Sequence, residues 1–103
     1  MSPESKELFR KAILKSLNNY AGRMGFGVMP IGSTLAVFGF SPANFKGDVK
    51  AYHSAIADEL DYLVRNGLAV EVVKTISKDN RAWRITDATD GEKSGVQFLD
   101  ENP

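Results

Sequence analysis

Small and apolar residues near the start of the chain return every three or four positions: Leu8 or Phe9, Ala12 with Ile13, Ser16 with Leu17, then Tyr20. That spacing lines one side of an α-helix. Ser2 is placed to cap it, and Pro3 fits its first position, where a missing N–H would have had no partner in any case. The helix is predicted to run to about Tyr20, with Lys6, Arg10, Lys11 and Lys15 largely outside the buried stripe. Gly22, Gly25 and Gly27 then open a connector in which Phe26, Val28 and Met29 are placed to add a short strand to a later ribbon. Ser33 is the expected cap of a short second helix, Thr34 to Phe38, stopped by Gly39. Phe40 to Gly47, with Ser41-Pro42 and Lys46-Gly47, reads as a turn holding at most one helical loop of its own.

The clearest element follows. Asp48 caps a third helix in which Val49, Tyr52 or His53, Ile56, Leu60 and Leu63 form a second buried stripe. Asn66-Gly67 ends it, because glycine enters the left-handed backbone region at a helix terminus without steric cost, and Leu68 folds back onto the last turn. Ala69 to Ile76 is rich in β-branched residues, Ser77 to Asn80 has turn chemistry, and Arg81 to Thr86 returns with Trp83 and Ile85 alternating against Arg84. These two runs predict a β-hairpin. From Asp87 on, acidic residues outnumber Lys93, so residues 1–88 are expected to form the domain and 89–103 an acidic, partly ordered tail with Val96, Phe98 and Leu99 able to dock.

Composition narrows the picture. With 103 residues, 43% apolar and 25% charged, the chain suits one folded domain. Thirteen basic and thirteen acidic side chains cancel, so attraction to a polyanion has to come from a local patch. The absence of cysteine removes disulfides and thiolate metal sites and fits the expected cytoplasmic location. Glu4, Lys6, Glu7, Arg10 and Lys11 occupy the place of a secretory signal's apolar core. The most apolar window, Phe26 to Phe40, is interrupted by Gly27, Pro30, Gly32 and Gly39 and is shorter than the roughly 20 residues of a membrane span.

The run ELDYLVRNGLAVEVV, followed by a return as RAWRIT, resembles the recognition helix and wing of bacterial winged-helix repressors. Over Phe9 to Thr86 the chain is more loosely similar to small winged-helix proteins of phages and prophages. The resemblance implies an α+β winged helix-turn-helix fold, with a three-helix core and a C-terminal hairpin wing. It implies a transcriptional regulator that binds double-stranded DNA, with a homodimer or a protein partner adding specificity. It also puts Ala57 and Asp58 where such repressors often carry a serine and a basic residue facing DNA.

Charge distribution selects the candidate contacts. Lys46 to Arg65 balances at minus one, with Asp48, Asp58, Glu59 and Asp61 against Lys46, Lys50 and Arg65. The hairpin and the first helix each carry an excess of two positive charges. Lys46, Lys50, His53 and Ser54 at the front of the third helix, with Lys74, Lys78, Asn80 and Arg81 on the hairpin, are therefore the expected DNA-binding residues. Asp58, Glu59 and Asp61 are read as a solvated face, because helix neighbours one or two apart do not converge. Asp58 and Asp61 with Tyr62 define the alternative, an adaptor that meets a basic protein without binding DNA. Phe9, Phe38, Tyr52, Tyr62 and Trp83 have the spacing of core residues rather than of stacking platforms. With a single histidine and no cysteine, no catalytic group, metal or cofactor is expected, and Gly22 to Gly27 lacks the pattern of a phosphate-binding loop.

Overall fold

A computed structural model describes residues 2–19, 25–72, 81–91 and 94–103. Helix α1 (Pro3–Asn19) is followed by α2 (Val28–Thr34), a 3-10 turn (Leu35–Phe38), a second 3-10 turn (Pro42–Phe45) and α3 (Val49–Arg65). Strands β1 (Ala69–Val72) and β2 (Ala82–Ile85) come next, then a short 3-10 turn (Ala88–Asp90) and α4 (Gly95–Glu101). This is an α+β fold with an antiparallel hairpin after the helices, an order compatible with a winged helix. Among the described residues no helix is long and apolar enough to cross a membrane.

Local chemistry accounts for the ends of the long helices. The Ser5 N–H donates to Ser2 Oγ at 3.2 Å, and the Ala51 N–H donates to Asp48 Oδ1 at 3.1 Å. At the far end of α3, Gly67 takes φ 74°, and the Gly67 and Leu68 N–H groups donate to the carbonyls of Val64 and Leu63. A side chain at Gly67 would be strained by that backbone angle, so the glycine is what stops the helix there.

The second helix differs from expectation. It begins at Val28 instead of Thr34, so Ser33 lies inside it, and Leu35–Phe38 is a 3-10 extension. Pro30 falls in the first turn, where backbone N–H groups have no intrahelical acceptor, so its missing donor is tolerated. Val28 and Met29 are therefore helical. Phe26 alone keeps the expected strand role: its N–H donates to the Trp83 carbonyl at 2.7 Å and its carbonyl accepts the Trp83 N–H at 2.9 Å. The connector to α3 is held by rings, with Phe9 against Phe40 (centroids 5.1 Å apart), Phe9 against Phe45 (6.1 Å) and Phe45 against Tyr52 (5.6 Å). The Tyr52 hydroxyl donates to the Gly32 carbonyl at 2.8 Å, which ties α3 to α2.

β1 and β2 pair with Glu71 opposite Trp83 and Val70 opposite Arg84. One face carries Trp83 and Ile85 toward the helices. The core runs from Phe9, Ile13 and Leu17 of α1 through Ile31 and Leu35 to Tyr52, Ile56, Leu60 and Leu63 of α3, and Trp83 is fully buried within it. The face of α1 is set more finely than its spacing predicts: Phe9 is buried while Leu8 is 60% exposed.

The acidic end of the chain carries α4, capped by Ser94, whose Oγ accepts the Gln97 N–H, with Leu99 joining the core. Thr86 connects this helix to the rest. Its hydroxyl donates to the Gly67 carbonyl (2.8 Å) and accepts the Gly95 N–H (2.7 Å). Its N–H donates to the Leu68 carbonyl, and its own carbonyl accepts the Val96 N–H. A Cβ on Gly95 would collide with the Leu68 carbonyl oxygen and lie 2.6 Å from Ile85 Cγ1. Gly95→Ala is therefore expected to cost about 1–3 kcal/mol through overpacking. It should speed hydrogen exchange at the Val96 and Thr86 amides together; unchanged exchange at both would show that α4 is not seated by this contact.

Candidate nucleic-acid interface

Four of the eight expected contact residues gather at the start of α3. Lys46 ends the second 3-10 turn with φ 57°, followed by Gly47 at φ 78°, so two successive left-handed residues aim the chain into the helix. Lys50 and Ser54 are exposed. His53 is half-buried, its ring 5.9 Å from that of Tyr52 and close to Gly32. Among the described residues, Lys46, Lys50 and Ser54 have no side-chain hydrogen bond or ion pair. Lys74, Lys78 and Asn80 lie outside the described residues.

Arg81 is placed differently from a phosphate contact held free in solvent. Its Nη2 donates to Glu71 Oε1 and to Asp61 Oδ1, both at 2.6 Å, and its guanidinium carbon sits 4.8 Å from the Trp83 ring centroid. The hydrogen bonds it donates to Glu71 and then to Asp61 hold its pKa above the ordinary guanidinium value. Arg81 thus fastens the hairpin to α3 and packs over the Trp83 ring. Arg84 is likewise engaged, forking onto Asp90 at 3.0 Å through each of two nitrogens.

Glu59 overturns the solvated-face expectation. It is buried, accepts a short hydrogen bond from Arg10 Nε, and has Lys6 Nζ at 3.9 Å. The Arg10 guanidinium carbon also lies over the Tyr62 ring, 3.6 Å from its centroid. The sequence held a signal for this, because Tyr52, Ile56, Glu59 and Leu63 recur at helical spacing and place Glu59 in the buried stripe. Asp61, by contrast, faces outward but is occupied by Arg81. On α1, Lys11 Nζ reaches the Pro103 carbonyl at 3.5 Å and Lys15 Nζ lies 5.9 Å from the Phe38 ring centroid, so much of that helix's positive charge is engaged within the molecule.

These pairings change the sign of the interface. With Glu59 and Asp61 neutralised by α1 and the hairpin, Lys46 to Arg65 retains Lys46, Lys50 and Arg65 against Asp48 and Asp58, and Asp48 is committed to the helix cap. Among the described residues, no group of three or more His, Cys, Asp or Glu side chains is arranged to hold a metal ion. Compared with family models, curated proteins and solved structures, the chain has no significant match.

Proposed function

We propose that the chain is a winged-helix DNA-binding regulator that lays the N-terminal half of α3 along the major groove and uses the hairpin as its wing. The observation that carries this reading is the exposed trio of Lys46, just ahead of α3, with Lys50 and Ser54 on it, beside a helix whose carboxylates, Asp58 excepted, are engaged within the molecule. Phosphate contact governs affinity, and unpaired lysines are available for it without breaking an existing bond. The net charge of zero makes this a modest binder as a single copy, so a second copy or a protein partner completes a specific site. The adaptor alternative has less support: Arg81 already holds Asp61, and Arg10 covers Tyr62.

The test is a titration of duplex DNA against the full chain at several salt concentrations. The logarithm of the binding constant should fall linearly with the logarithm of salt, by about 0.9 per phosphate contacted. Lys46→Ala and Lys50→Ala should each flatten that slope by about one when the lysine meets a phosphate. Binding that ignores both salt and these substitutions would remove the DNA reading and leave a protein partner.

A further inference from the structure

Each acidic residue of α3 has a task inside the molecule, with one exception among the described residues. Asp48 caps the helix, Glu59 holds Arg10, and Asp61 holds Arg81. Asp58 is exposed and has no such bond. It gains nothing from the helix either. It lies mid-helix, away from the favourable N-terminal dipole, and aspartate is a weak helix former. The positions three and four residues away are Ala55, Asp61, Ser54 and Tyr62, none of them basic.

Its direction is informative. Residues advance by about 100° each around a helix, so Lys50, Ser54 and Asp58 are offset by about 40° from one to the next. The buried residues Tyr52, Ile56, Glu59, Leu60 and Leu63 lie on the opposite side, with Ser54 at the centre of the outward face and Lys50 and Asp58 flanking it. Along the axis, Lys50 and Asp58 are about 12 Å apart, the span of three to four base pairs at about 3.4 Å each.

A carboxylate turned toward a polyanion is repelled unless a donor meets it. In the major groove guanine offers only acceptors at N7 and O6, and thymine offers O4 and a methyl group. Adenine has a donor at N6, but its N7 acceptor stands beside it. Cytosine alone offers the N4 amino group with no neighbouring acceptor of its own. Resting on the DNA-binding reading above, we infer that Asp58 is a specificity residue that accepts a hydrogen bond from the N4 amino group of a cytosine. Lys50, two turns earlier, faces the bases or phosphates at the other end of the same short site. The unpaired acid thereby weakens binding to every sequence that lacks a cytosine at its position.

The experiment selects sites from randomised duplexes with the full-length protein and with Asp58→Asn, then measures affinity on matched duplexes. Asparagine donates and accepts side by side, which fits adenine N6 and N7. The wild-type protein should require cytosine at one position, with adenine there weakening binding by about fivefold or more, and Asp58→Asn should reverse that preference while leaving the rest of the site unchanged. The same base preference in both proteins, or salt-dependent binding without any preference, overturns the cytosine reading and leaves DNA binding standing. No salt-dependent duplex binding by either protein removes both.

Discussion

Replacing Trp83 with alanine should lower the free energy of unfolding by about 3–5 kcal/mol. A fall of that size in a domain of this length corresponds to a drop in Tm of about 15–30 °C. Trp83 is fully buried, its backbone N–H and carbonyl both pair with Phe26, it stands opposite Glu71 of β1, and Arg81 packs over its ring. Truncation therefore opens a cavity at the place where the sheet meets the helices. Far-UV circular dichroism melts give the measurement, since the variant has lost the chain's one tryptophan. Trp83→Phe sharpens the test. The Trp83 Nε1–H is buried without an acceptor among the described residues, and phenylalanine removes that unpaired donor while keeping most of the packing. Its cost should be well under half that of alanine. A melt barely moved by Trp83→Ala would mean that the ring is not the keystone of this core.

Arg10→Met is expected to be the next most damaging change, at about 2–4 kcal/mol, because it leaves the buried Glu59 carboxylate with the more distant Lys6 as its remaining charge partner. Glu59→Met should cost less. The guanidinium it frees is partly solvent-accessible and still rests on Tyr62. The double variant, which replaces both charges with apolar groups of similar volume, should recover much of the loss, since a methionine pair carries no desolvation penalty. Chemical denaturation of the four proteins gives the coupling directly. Additive costs for the two single changes would show that Arg10 and Glu59 act independently and that their contact does not organise the α1–α3 interface.

The parts of this fold legible in the sequence are those set by nearby residues. Asp48 and Gly67 fix the two ends of α3 through contacts within one turn, and its stripe from Tyr52 to Leu63 gives both the helix and its buried side. Alternation of Trp83 and Ile85 against Arg84 gave the inward face of β2 in the same way. The start of α2 was hidden because Pro30 and Gly32 read locally as breakers. Their acceptance in a helix depends on its first turn falling at Pro30 and on Tyr52, far along the chain, bonding the Gly32 carbonyl. The candidate interface was hidden for a similar reason. Asp61 and Glu71 are 20 and 10 residues from Arg81, and Glu59 is 49 from Arg10. Such pairings come from the folded arrangement, and they decide which lysines and which aspartate are left facing outward.

Thr86 has a consequence for how the molecule comes apart. One side chain and the backbone N–H and carbonyl of the same residue rivet the stop of α3, the exit of the hairpin and the entry of α4 to a single spot, so none of the three has an inexpensive way to fray alone. Melting at that joint starts as a shared event, and the short last helix behaves as a clasp on the base of the hairpin rather than as a trailing end.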